Sequence, residues 1–178
     1  MVASEISNKD YGLRVSMSRF VLGKFGWLET IAFFTFGLAT LFTAAALYYV
    51  FKEYPESDAA PAILLAAGTG LLAMAIFPVD PSSITRSFHY QTHLLMAHSV
   101  TLLFPIAWFF SFTGLKRHPE LYRLASYTLW SAITAIIIYF GLRFTPVGLW
   151  ERLGATIGFL WLLLLSIYLW RLNSNWSR

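Results

Sequence analysis

Polar and apolar residues are segregated along this chain in blocks too long for strands and too uniformly apolar for the one-sided stripes of soluble helices. Thr30–Phe51 and Ala59–Val79 contain no charged residue, the second opened by Pro61 in its first turn and closed by Pro78. A third block runs from about Thr92 to Leu115 and is interrupted only by His93, His98 and Pro105. The fourth is Leu124–Leu142 and the fifth Leu153–Trp170. About 20 apolar residues cross a hydrocarbon core of roughly 30 Å. The pattern therefore predicts five transmembrane helices joined by short connections, with antiparallel neighbours in an all-α polytopic bundle. What remains is too short for a soluble domain, so residues 1–178 read as a single membrane domain.

Ahead of the first block, Tyr11–Phe25 mixes Leu13, Val15, Met17, Phe20, Val21 and Leu22 with Arg14, Ser16, Ser18, Arg19 and Lys24. That mixture predicts an amphipathic segment lying in the interface. It lacks the unbroken apolar run of a signal peptide. Tyr48, Tyr49, Tyr54, Trp108, Tyr122, Trp150, Trp170 and Trp176 fall at or near block ends, where amphipathic rings favour the headgroup level. Gly154-x-x-x-Gly158 predicts close helix approach, and Gly68-Thr69-Gly70 tight packing or a mild bend.

Composition points the same way. Hydrophobic residues make up 57% of the chain and charged residues 12%, with a mean hydropathy of +0.60. Average globular domains have about 45–50% and about 25%. A soluble enzyme and a nucleic-acid reader are excluded; the net charge of +4 is too small, and its bases sit at the ends of apolar runs. The absence of cysteine removes disulfides, thiolate metal sites and thiol catalysis. Lys9, Arg14, Arg19, Lys24, Arg86, Arg143 and Arg152 fall on one side of the bundle, side A. Lys52, Lys116, Arg117, Arg123, Arg171 and Arg178 fall on the other, side B. The two sets nearly balance. The dense Lys116-Arg117-His118 loop tips the positive-inside rule toward a cytoplasmic side B.

Polar side chains concentrate on side A: Ser16, Asp80, Ser82, Ser83, Thr85, Arg86, His89, His93, Arg143, Glu151 and Arg152, with Glu29 about one turn inside the first span. Ionisable groups within a span are costly and usually face a cavity, a bundle interior or a partner. Ser16, Glu29, Asp80, Arg86, His89 and His93 are therefore the candidate polar cluster, expected near one membrane surface. His89 and His93 project about 40° apart on one helix face. Such a pair can share one divalent metal, with Asp80 a candidate third ligand. His98 lies about 140° round from His93 and does not join them. It should sit roughly 9 Å into its span, neutral, facing helices or a cofactor and hydrogen-bonded. No HExxH pattern occurs, since Tyr90 follows His89. Bis-histidine haem within one chain lacks a histidine on a facing helix.

Several segments resemble the domain-of-unknown-function 998 (DUF998) family of membrane proteins. They are Tyr11-Gly-Leu-Arg-Val-Ser16, Gly23-Lys-Phe-Gly26-Trp27-Leu28, Phe33-Phe-Thr-Phe-Gly37-Leu38 and Ile76-Phe77-Pro78-Val79-Asp80-Pro81 with His89 and His93 following. Arg117-His118-Pro119-Glu120 and Gly148-Leu149-Trp150-Glu151-Arg152-Leu153 extend the likeness, which spans Tyr11 to Leu172. The resemblance implies a six-span bundle without an established activity, and polar motif positions at Ser16, Asp80, His89 and His93. Only ten residues precede Tyr11 here, so a five-span form lacking the family's first helix is expected. The groove this leaves beside Glu29 and Thr30–Phe51 is expected to hold another transmembrane subunit or a second copy.

Three functions compete on these residues. The expected one is a membrane subunit or binding module that packs against other membrane proteins, lipids or cofactors, since no complete catalytic set is present. An intramembrane hydrolase would use a divalent metal on Asp80, His89 and His93, with metal-bound water as nucleophile and Glu29 or Ser16 beside it. A small transporter would use Glu29 and His98, without the inverted repeat such proteins carry.

Overall fold

A computed structural model of the chain describes residues 15–53, 59–80, 87–141 and 146–176. The described residues form a short 3-10 helix, η1 (Met17–Leu22), followed by five α-helices: α1 (Gly26–Phe51), α2 (Ala59–Ile76), α3 (Phe88–Arg117), α4 (Tyr122–Gly141) and α5 (Val147–Trp176). All five are long and apolar enough to cross a membrane. Within hydrocarbon every backbone polar group must be satisfied inside its own segment, so uninterrupted apolar sequence of this length becomes helix. Hydroxyl side chains are tolerated because they bond back to the preceding turn. Thr35, Thr40, Thr69 and Thr101 each donate to the carbonyl four residues earlier, at 2.7–2.8 Å.

Helix α3 begins four residues before the apolar block predicts. Ser87 caps it, with Oγ accepting from Tyr90 N at 3.2 Å, and the Ser87 N–H donates to Asp80 Oδ2 at 3.2 Å. Its far end closes on His118, whose N–H donates to Gly114 O. Pro105 lies inside α3 and leaves the Thr101 carbonyl without its usual helical donor.

Each helix packs against the next in the chain, and α5 returns to touch α1 along a much thinner interface. Helix α2 is gripped from both sides. A Cβ at Gly37 would press on Leu72 and lie 3.1 Å from the Gly68 carbonyl; a Cβ at Gly68 would press on Leu41 and lie 3.1 Å from the Gly37 carbonyl. The two backbones approach because neither position has a side chain. Gly70 accommodates Val100 of α3 in the same way. The fully buried core lies toward side B, where Leu47, Phe51, Ala60, Leu64, Leu115 and Leu121 are all 0% exposed. Outer faces carry large apolar residues such as Phe42, Tyr49, Trp130 and Trp170, as lipid contact requires.

Trp108 departs from the expected interfacial role. It is 1% exposed, packed against Phe104 and Trp161, whose Nε1–H donates to the buried Thr128 Oγ1 at 3.0 Å. The α3 helix continues to Arg117, nine residues beyond Trp108, and so carries this ring into the interior.

Candidate functional site

Helix η1 is a cap over the side-A end of the bundle. Two glycines let it seat: a Cβ at Gly26 would fall on the Val21 carbonyl, and one at Gly148 on the Val15 carbonyl. The seat is secured by Glu151, one of the first residues of α5. Ser16 Oγ donates to its carboxylate, 2.8 Å from both oxygens, and the Met17 N–H donates to Oε2 at 2.5 Å. Hydrogen bonds to a charged acceptor are about twice as strong as neutral ones. Arg152 completes the seat. Its Nη1 donates to Gly148 O at 2.6 Å and to Val15 O at 3.5 Å, while its guanidinium lies 5.0 Å from the Phe20 ring centroid. The predicted amphipathic segment thus rests on α1 and α5; its residues 11–14 lie outside the described residues.

Under the cap is a cavity of about 440 Å³. Its mouth is set by Ser18, Glu29, Trp150 and Glu151, and its walls by apolar residues down to Phe104, Pro105 and Trp108. From Ala97 to Trp108 along α3 it is about 16 Å deep. Ala32 and Thr35 of α1 and Phe159 of α5 both line it and are exposed on the outer surface, so it opens sideways where α1 and α5 barely touch. Gly154 and Gly158, expected to bring helices together, both line this cavity. An added Cβ at Gly154 would meet only Ile138, at 3.8 Å, and one at Gly158 would meet the Phe36 ring at 3.1 Å. At Gly154 the missing side chain leaves space, whereas at Gly158 it admits the Phe36 ring of α1, the close approach expected there.

A second cavity, about 450 Å³, lies beside the first and shares Ser18, Ala97, Thr101 and Glu151 with it. Asp80, His93 and His98 line it along with Ser16, Arg19, Tyr90 and Tyr139. His93 is 3% exposed, with Nδ1 2.9 Å from the Phe77 carbonyl and its ring 5.9 Å from that of Phe33. A carbonyl accepts only, so Nδ1 carries the proton and Nε2 presents a bare lone pair.

The predicted polar cluster is therefore only partly assembled. Ser16, Asp80 and His93 share the second cavity, and Glu29 lies at the mouth of the first, within electrostatic reach of Glu151 and Arg152. Glu151 reaches His93 in the same way. Arg86 lies outside the described residues. His89 points elsewhere: it is exposed, its ring edge-on to Phe77 at 5.4 Å. Among the described residues no group of three His, Cys, Asp or Glu side chains is arranged to hold a metal ion. Asp80, His89 and His93 do not converge, because Asp80 is spent on the start of α3 and His89 lies on its first turn, outside the packed bundle. His98 is exposed and makes no hydrogen bond among the described residues, contrary to expectation. The face of α3 turned into the bundle carries His93, Val100, Phe104 and Trp108, and His98 stands well round from it.

Four buried polar atoms lack hydrogen-bond partners among the described residues: His93 Nε2, Trp108 Nε1, Ser111 Oγ and Trp150 Nε1. Buried polar atoms are rarely left unpaired, and three of these four, all but Ser111 Oγ, lie on residues that line the two cavities. Glu151, Trp150 and Ser18 were not singled out as site residues from sequence. Trp150 and Glu151 did carry signals, since they stand at the start of an apolar block on the polar side and within the 148–153 segment of the family resemblance.

Comparison with curated proteins and with solved structures gives no match. The five apolar helices make this an integral, multi-pass membrane protein. Residues 1–168 match the family described as Protein of unknown function (DUF998), and the chain belongs to that family.

Proposed function

We propose that this protein is a membrane binding module for a single-chain amphiphile, held with its chain in the cavity under η1 and its head at the level of Glu29 and Glu151. The observation that carries this reading is the cavity's gradient. Its inner end is walled by Phe104, Pro105 and Trp108, whereas its carboxylates stand at the mouth. Small-molecule sites are commonly apolar clefts of about 300–1,000 Å³ with a few placed polar groups. The sideways opening between α1 and α5 connects the cavity with the hydrocarbon, so a lipid reaches it without crossing water. Membrane helices gain little from hydrophobic exclusion, which makes a lipid chain a suitable occupant of such a cleft.

Extraction and mass analysis of lipid bound to the purified protein test this. One single-chain amphiphile per protein is expected. It should be lost from Ala155→Phe, which fills the cavity, and kept by Leu163→Phe, whose position faces outward. Equal retention by both variants would overturn the reading. So would a photoreactive side chain at Thr35 that cross-links to a helix of another protein and not to lipid.

A further inference from the structure

We infer that the amphiphile's head group is a neutral hydroxyl, recognised by its ability to donate and to accept a hydrogen bond at once. This deepens the amphiphile reading and rests on it. The argument comes from which polar atoms around the mouth are already engaged. Glu151 receives Ser16 Oγ and the Met17 N–H, and Arg152 donates to Gly148 O while covering Phe20. Those charges are occupied in holding the cap.

Three groups are left. Glu29 lines the mouth and makes no hydrogen bond or ion pair among the described residues. His93 Nε2 is a buried acceptor on a side chain 97% enclosed, beside Phe33, which is one turn along α1 from Glu29. Trp150 Nε1 is a buried donor without a hydrogen-bond partner among the described residues, on the residue next to Glu151. Glu29 and Trp150 thus bring an acceptor and a donor to the first cavity, and His93 brings an acceptor to the second, which adjoins it.

Head groups differ in how they meet that set. A carboxylate or phosphate would bring acceptors to acceptors, and negative charge beside Glu29 and Glu151. An ammonium would supply donors but offer nothing to Trp150. An ether would accept from Trp150 and leave Glu29 unmet. A hydroxyl gives its proton to Glu29 and takes one from Trp150, both on the lining of the first cavity. Arg19, the remaining cation on this lining, is exposed at the outer edge of the second cavity. A cavity about 16 Å deep below the mouth takes an extended medium-length chain.

The test is competition in lipid nanodiscs. A brominated dodecyl chain that quenches protein tryptophan fluorescence saturably is displaced by dodecanol, dodecyl methyl ether, dodecylammonium or dodecanoate. Dodecanol is expected to displace best, roughly tenfold better than the ether, as one additional hydrogen bond predicts. Glu29→Leu should remove that preference while leaving displacement by the ether unchanged. Glu29→Gln, nearly the same shape and still an acceptor, should keep part of it. Equal displacement by all four compounds would overturn the hydroxyl assignment and leave the cavity reading standing. The ammonium displacing best would replace the assignment with a cationic head. No saturable quenching at all, in a protein that retains its helical spectrum, would overturn the cavity reading itself.

Discussion

The two ends of the bundle use the same kinds of residue and pack them differently. Toward side B, Leu47, Phe51, Leu64, Leu115 and Leu121 are wholly enclosed, and Trp108 and Trp161 stack close behind them. Toward side A, the helices splay around two cavities, and His93 Nε2 and Trp150 Nε1 are buried there without hydrogen-bond partners among the described residues. Hydrophobicity alone does not separate the ends, since both are built mainly from apolar sequence, interrupted toward side A only by residues such as Glu29, His93 and His98. The separation comes from side-chain volume and from where α5 lies. Gly154, Ala155 and Gly158 withdraw bulk from the side-A half of α5, whereas Trp161, Leu162 and Leu165 restore it beyond the midpoint. One half is closely packed and the other leaves two cavities.

That contrast is open to direct attack. The largest effect is expected at Trp161→Ala. It removes a ring 2% exposed and strands the Thr128 hydroxyl, and should cost about 3–5 kcal/mol in a reversible unfolding measurement. A change below about 1 kcal/mol would show that the side-B half is not tightly packed. Next comes a matched pair. Gly68→Leu must force α1 from α2 and should cost about 1–3 kcal/mol, whereas Gly154→Leu extends into the cavity and should cost less than about 1 kcal/mol. Equal costs would erase the distinction between the halves.

Smaller effects concern the cap and the opposite surface. Ser16→Ala takes one donor from Glu151 at a half-buried position and should weaken the cap by about 1 kcal/mol. Amide exchange across Met17–Leu22 should then quicken by about fivefold, with exchange in α2 unchanged. The smallest effect is at His118, on the side-B turn. Burial holds its imidazole below the ordinary histidine value, against the opposing pull of Glu120 and Glu53. Its Nδ1 accepts the Glu120 N–H at 3.3 Å, which only the neutral ring can do. The unfolded chain therefore takes up the proton first. Its contribution to stability is complete above about pH 6.5 and declines as the pH falls below that. Amide protection at Glu120 should decline in that direction, and His118→Gln should abolish the dependence.

How far the sequence carries the reader differs between the two halves as well. Five helices follow from blocks such as Thr30–Phe51 because hydrocarbon permits no other structure for them. The facing of those helices does not follow. A helix apolar all round has no stripe to reveal which side meets its neighbours, so Trp108 reads as interfacial and proves internal. Asp80 and His93 could be placed at one end of the bundle from their positions alone. Which of them would be spent on a helix cap, and which left with an open lone pair, depends on the turn after α2. The pairing of Ser16 with Glu151 joins residues 135 positions apart. Nothing local in either segment announces it.

The seating of η1 has a consequence for how the protein is made. Its Ser16 and Met17 emerge from the ribosome early, yet the carboxylate they grip is synthesised 134–135 residues later. Four spans must therefore be inserted before the cap has anything to close upon. Throughout that interval, the interior lies open to the surrounding bilayer. Long-range contacts of this kind form last because the chain between them must first be ordered. Folding of the cap is thereby separated in time from insertion of the first four spans: η1 can be fastened only once α5 has brought Glu151 to side A.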